Sequence, residues 1–142
     1  MKSACAWALA FWVLNCHGVN AEDLSPSFAE ARYSEEDMLP VRSPALSPGV
    51  VQRRTLDATG LPAFFLVGDD ARSRVWLKQR RLLLTKLKAA GLVVNVESKT
   101  SLEDLRRIGQ GLTLFPVSAD DLAHRLNLRH YPVLITASSV EQ

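Results

Sequence analysis

His124 and His130 stand six residues apart, with Asp120 and Asp121 just upstream. Zinc-type sites use three or four ligands drawn from His, Cys, Asp and Glu. Two imidazoles at this spacing make a weak case, so both read as ordinary surface histidines and no metal is expected. Ser118, His124 and Asp120 supply the residue types of a hydrolytic triad, but no G-x-S-x-G nucleophile elbow accompanies them. Neither a G-x-x-x-x-G-K-[ST] loop nor a G-x-G-x-x-G turn is present. Gly68-Asp69-Asp70 follows an apolar run and opens a helical one, where phosphate loops also lie. Two carboxylates at that place repel a phosphate, which argues against a nucleotide. No catalytic residue and no cofactor is therefore expected.

The residues that do form a pattern are basic. Arg72, Arg74, Lys78, Arg80, Arg81, Lys86 and Lys88 fall in one stretch, and no acid occurs between Ala71 and Val96. Arg74, Lys78, Arg81 and Lys88 follow helical spacings of four, three and seven, which puts them on one face opposite Trp76 and Leu83. Such a face is either simply solvated or a contact surface for an acidic partner or anionic lipid head groups. The whole chain has 17 basic and 15 acidic side chains, a net charge of +2. That balance provides no global field for collecting nucleic acid.

The elements that must position these residues begin near residue 60. Residues 63–67 are a compact apolar run ending at Gly68, suited to a buried strand. Asp69 and Asp70 offer an N-cap to a long helix, expected to run to about Ala90 with Gly91 just past its end. Trp76, Leu83, Leu87 and Ala90 would form its apolar face. Residues 92–96 read as a second strand. A second helix is expected from Ser101, with Asp104 as capping-box partner and Leu102, Leu105 and Ile108 as its stripe, stopping at Gly109 and Gly111. Residues 112–115 form a third strand, and Ser118 with Asp121 repeats the capping signature before a short helix carrying Leu122 and Leu126. Pro132 then precedes a last strand at 133–136. The order β-α-β-α-β-α-β implies an α/β domain over 60–142, its sheet at least partly parallel, with helices on both faces and right-handed crossovers.

Upstream, residues 22–59 are polar and interrupted by Pro26, Pro40, Pro44 and Pro48. This reads as an extended, Pro-rich arm, with a short helix near residues 27–32 and an edge strand near 50–54. Residues 1–21 open with Met1-Lys2, continue as an apolar run from Ala4, and place Val19 and Ala21 before Glu22. This is the layout of a signal peptide cut after Ala21. The run is too short for a spanning helix. An uncleaved anchor and a lipidated Cys16 are the competing readings. Cys5 and Cys16, the only cysteines, both lie in the segment to be removed. The exported chain would then have no thiol, and its location would be the periplasm.

The stretch DLAHRLNLRHYPVLIT at 121–136 resembles the region around the cis-proline of thioredoxin-fold proteins. The resemblance implies a thioredoxin-like scaffold whose helix start, where the redox cysteines would sit, falls at residues 68–74 and carries none. It also implies that Gly68, Asp69, Asp70, Arg72, Tyr131 and Pro132 meet at one end of the sheet as a partner-binding surface. VRSPALSPG at 41–49, FLVGDDARS at 65–73, GLVVNVES at 91–98 and HYPVLIT at 130–136 go further. Together they resemble the small exported proteins encoded in bacterial integrating conjugative elements. The element order is also similar to a thioredoxin-like pilus-assembly family of F-type conjugation systems. These resemblances imply a non-catalytic component of a conjugative type IV secretion or pilus-assembly apparatus. Its partners would be other proteins of that machinery, with no small-molecule substrate and no nucleic acid. Membrane contact would come only through the signal peptide or the basic helix face. A thioredoxin-fold enzyme or a periplasmic chaperone is the alternative.

Overall fold

The computed structural model describes residues 34–142. The signal peptide expected at 1–21 and the short helix expected near 27–32 lie outside the described residues. After a short 3-10 turn at Glu35–Met38 come β1 (Ser47–Pro48), β2 (Arg54–Thr55), β3 (Phe64–Gly68), α1 (Ala71–Lys86) and β4 (Ala90–Asn95). Then follow α2 (Lys99–Ile108), β5 (Leu114–Pro116), α3 (Asp120–Leu126), β6 (His130–Tyr131), β7 (Val133–Ile135) and β8 (Ser139–Glu141).

Six of these strands form one mixed sheet in the order β2-β8-β7-β3-β4-β5. β3, β4 and β5 run parallel, while β7 and β8 are antiparallel to their neighbours. β3 is central because Phe65, Leu66 and Val67 are wholly buried, so both of its faces need cover. Alternation sends Phe65 and Val67 to one side with Val93 and Leu134. Leu66 goes to the other side with Val94, Val133 and Ile135. The β3-α1-β4 and β4-α2-β5 crossovers step the same way across the sheet. Crossovers of one hand therefore put α1 and α2 on the same face, where Trp76, Leu77, Leu84, Leu102 and Leu105 join the first cluster. α3 belongs to the return path and contributes Ala123 to the opposite cluster.

Several expected boundaries move. α1 ends at Lys86 instead of near Ala90, because Lys88 adopts a left-handed backbone (φ 52°) and turns the chain into β4. Gly91 is therefore not a helix cap. It lies inside β4, where an added Cβ would strike Leu114 and Phe65. The buried face of α1 is Ser73, Trp76, Leu77 and Leu84, with Leu83 only half-buried and Leu87 past the helix end. The Leu82-Leu83-Leu84 run places apolar side chains on three sides of this helix, so spacing alone could not select the face that meets the sheet and α2. α2 begins earlier than expected. Ser98 is its N-cap and accepts a hydrogen bond from the Ser101 N–H, which places Ser101 inside the first turn. At α3 the N-cap is Ala119, without a side-chain cap. Asp120 instead accepts from the Ala45 N–H at 3.0 Å, and Ser118 and Asp121 form no capping pair.

From residue 34 on, the Pro-rich segment holds a short 3-10 turn and two-residue strands, and it contributes to both hydrophobic clusters. Val41 bridges Val96 through reciprocal backbone hydrogen bonds of 2.9 and 3.0 Å. Leu46 is buried beside Tyr131 in the second cluster, and β1 pairs with β6 in parallel. The edge strand expected at 50–54 is the two-residue β2, paired with β8. β1, β6 and β8 are not among the expected strands. Thr136 makes the turn into β8 by accepting from the Ser138 and Ser139 N–H groups at 3.3 and 3.1 Å. The Leu39–Pro40 and Tyr131–Pro132 peptide bonds are cis. At the free edge of β5, Arg106 donates to the Leu114 carbonyl at 2.8 Å and Pro116 offers no N–H. Both features blunt an edge that another strand could otherwise extend.

Candidate functional site

The C-terminal end of β3 brings the predicted site residues together. Gly68 packs against Tyr131 so closely that a Cβ would lie 2.6 Å from the ring. Its N–H donates to Ser73 Oγ at 3.0 Å. Ser73 Oγ donates to Asp70 Oδ1 at 2.7 Å, and the Ser73 N–H donates to Asp70 Oδ2 at 2.9 Å. Asp70 is thus the N-cap of α1, as its position predicts. Asp69 stitches the ends of two parallel strands. Its N–H donates to the Asn95 carbonyl at 3.0 Å, and its Oδ2 accepts from the Glu97 N–H at 3.1 Å.

Tyr131 is only 4% exposed. Its hydroxyl accepts from Asn95 Nδ2 at 3.1 Å. Burial pushes the phenol above its ordinary range, the Asn95 hydrogen bond works against that shift, and the carboxylates of Asp70 and Asp69 add to it. Asn95 also accepts from the Ser43 N–H at 2.8 Å. Ser43, itself buried, donates from Oγ to the Val94 carbonyl at 2.7 Å and accepts from the Ala119 N–H at 3.0 Å. This Ser43-Asn95-Tyr131 relay clamps the Pro-rich segment, β4 and the β6–β7 junction to one another.

The predicted partner surface therefore splits in two. Gly68, Asp69, Asp70 and Tyr131 do meet: Gly68 and Tyr131 are buried, Asp69 and Asp70 are half-buried, and their polar groups bond within the protein. Arg72 is exposed and Pro132 is buried beneath it. Both border an open depression of about 540 Å³ shared with Trp76, Arg80 and Gln142. Arg80 donates to the Gln142 carbonyl at 2.7 Å, and Gln142 Nε2 donates to the carbonyls of Pro132 (3.0 Å) and Gly49 (2.8 Å). The Trp76 indole N–H is buried under this rim without a hydrogen-bond partner.

The basic face is also redistributed. Arg74 turns toward α2, donating from Nε to the Asp69 carbonyl at 3.2 Å and lying 3.9 Å from Asp104. Arg81 donates to the Gln110 carbonyl at 3.3 Å. Lys78 is exposed, and Lys88 lies beyond the helix. The four do not form one solvent-facing patch, because the side opposite Trp76 and Leu83 is where α2 lies. His124 and His130 both line a second depression, of about 510 Å³, around the α3–β6 turn. No cluster of three His, Cys, Asp or Glu side chains that could hold a metal is found among the described residues. Asp120, spent on Ala45, forms no hydrogen-bonded relay with Ser118 and His124.

Ser43, Ser73 and Asn95 were missed as site-building residues. Asn95 carried a signal: an amide at the end of the apolar run Leu92-Val93-Val94 must be paired if buried. Ser43 carried none, since nothing in a Pro-rich stretch marks one serine for burial.

Fold and site together define a mixed α/β protein with a three-helix cover, whose sheet end is held by internal hydrogen bonds and flanked by a cationic depression. The chain belongs to a family of proteins of unknown function (DUF2859), whose profile matches residues 15–140. No curated protein and no solved structure matches it.

Proposed function

We propose that this chain is a non-catalytic interaction module of a conjugative type IV secretion or pilus-assembly apparatus, encoded in an integrating conjugative element and acting in the periplasm after removal of residues 1–21. The observation that carries the non-catalytic reading is the state of the β3 end. Both oxygens of Asp70, one oxygen of Asp69 and the hydroxyl of Tyr131 are already engaged in positioning backbone and side chains. Arg72 is exposed beside them, at a depression lined by Trp76 and Pro132. That arrangement suits holding another protein more than turning over a substrate. The strand order β8-β7-β3-β4, with β3 and β4 parallel and β7 and β8 antiparallel, supports a thioredoxin-like scaffold. β5, added outside β4, departs from the minimal form of that scaffold. The helix start that would carry redox cysteines is Asp69-Asp70-Ala71-Arg72. The conjugative setting rests on the four sequence strings at 41–49, 65–73, 91–98 and 130–136.

The test is deletion of the gene from a donor carrying the element, with transfer frequency as the readout. Complementation uses the wild-type chain and Arg72→Ala at matched protein level. Deletion is expected to lower transfer, the wild type to restore it, and Arg72→Ala to restore it only in part. Undiminished transfer in the deletion strain overturns the reading.

A further inference from the structure

We infer that the outward face of α1 is a docking surface for an acidic amphipathic helix of a partner protein. Arg72, Val75, Gln79, Leu82 and Lys86 follow spacings of three, four, three and four, the seam of a two-helix coil. All five side chains are exposed. Val75 is 56% and Leu82 76% exposed, and the two lie two turns apart, about 10 Å along the axis. They alternate with Arg72, Gln79 and Lys86, so one set of seam positions is apolar and the other is cationic or amide. Lys78 flanks the same stripe.

The charge is uncompensated. Among the described residues, Arg72, Lys78 and Lys86 have no carboxylate within ion-pair distance, and the helix itself holds no acid. Elsewhere Arg54, Arg125 and Arg129 are likewise exposed without an ion pair among the described residues, while other cations are paired: Arg42 with Glu97, Arg53 with Glu141, Lys99 with Glu36 and Arg106 with Glu35. The last two show the proposed mode in miniature. The acidic turn Glu35–Met38 lies on α2 through Glu35 and Glu36, while Leu39 packs against the core cluster that includes Leu102. A helix with leucine facing Val75 and Leu82, and glutamate facing Arg72 and Lys86, would repeat that arrangement along α1. Two apolar side chains offer little area for insertion into a lipid interface, which favours a helix over a membrane.

The inference rests on the reading of the chain as an interaction module, and its test separates the two. The isotope-labelled protein is titrated with a synthetic acidic helix bearing leucine every seventh residue and glutamate at the facing positions, and backbone amide shifts are followed. Shifts are expected along residues 72–86, with binding weakened about tenfold by Leu82→Ser or Lys86→Glu. The inference is overturned by no shift on α1, by equal binding of a lysine-for-glutamate peptide, or by self-association through Leu82 in place of peptide binding. Binding of phosphatidylglycerol vesicles without binding of the peptide overturns it too. In cells, full transfer by a Leu82→Ser/Lys86→Glu donor, where gene deletion abolishes transfer, sinks the docking surface and spares the broader reading. Unchanged transfer on deletion with the peptide still seated on α1 does the reverse.

Discussion

Ser43 is the residue whose removal most directly tests how the Pro-rich segment is held. It is 1% exposed, and its Oγ serves two backbone groups from different parts of the fold: the Val94 carbonyl on β4 at 2.7 Å and the Ala119 N–H at the start of α3 at 3.0 Å. Ser43→Ala changes little volume but leaves both partners buried and unpaired. Each orphaned group costs about 1–3 kcal/mol, so the expected loss is about 2–6 kcal/mol. For a domain with a total stability of about 5–15 kcal/mol, that is a large share. At a urea slope of about 2 kcal/mol/M, unfolding followed by far-UV circular dichroism should show a midpoint lower by about 1–3 M with an unchanged slope. Ser47→Ala is the control, since Ser47 is exposed and its Oγ contact to His130 Nδ1 (3.2 Å) is at the surface. That variant should stay within about 0.5 kcal/mol of wild type. A Ser43→Ala protein as stable as Ser47→Ala would refute the claim that this hydroxyl fastens the segment to the sheet.

Gly91→Ala should be destabilising by about 1–3 kcal/mol or more, because the new methyl would collide with Leu114 and lie 2.5 Å from Phe65 Cζ in a packed core. Thermal unfolding measures it, and an unchanged midpoint would mean that β4 and β5 are spaced differently. Tyr131→Phe removes the acceptor of Asn95 Nδ2 and should lower stability by about 0.5–1.5 kcal/mol near neutral pH. The folded phenol titrates above its unfolded value near 10, so its preference for the protonated form is fully present below that pH. It is lost as pH rises through the folded value. Wild type should therefore lose stability on the alkaline side more steeply than Tyr131→Phe, as followed by denaturation at a series of pH values. Parallel curves would contradict a buried, protonated Tyr131.

Much of the framework was legible because local physics fixed it. The apolar runs ending at Gly68 and at Asn95 could only be buried strands, and Asp70 had the right side chain at the right place to cap the helix between them. Alternating periods of two and 3.6 gave the order β3-α1-β4-α2-β5-α3-β7, without the two-residue β6. Boundaries set by neighbours were not legible. Gly91 looked like a helix terminator because glycine commonly is one, whereas its place is dictated by the close approach of Leu114 and Phe65 from adjacent strands. The basic residues of α1 looked like one face because their spacing is helical. Which side met α2 depended on the sheet stepping from β3 to β4 to β5, and that engaged half-exposed Arg74 and Arg81 with the α2 side while leaving Val75 and Leu82 out. Asp69, Asp70 and Tyr131 were rightly gathered at one end of the sheet, but whether they faced solvent or each other rested on Ser73, Glu97 and Asn95. Those partners come from different elements, and the pairings follow from how the elements are stacked. The sequence by itself determined element type and the shared location of these side chains, through propensity and hydrophobic period. Only the tertiary structure decided their orientation, because satisfying a buried polar atom is a property of what lies across from it.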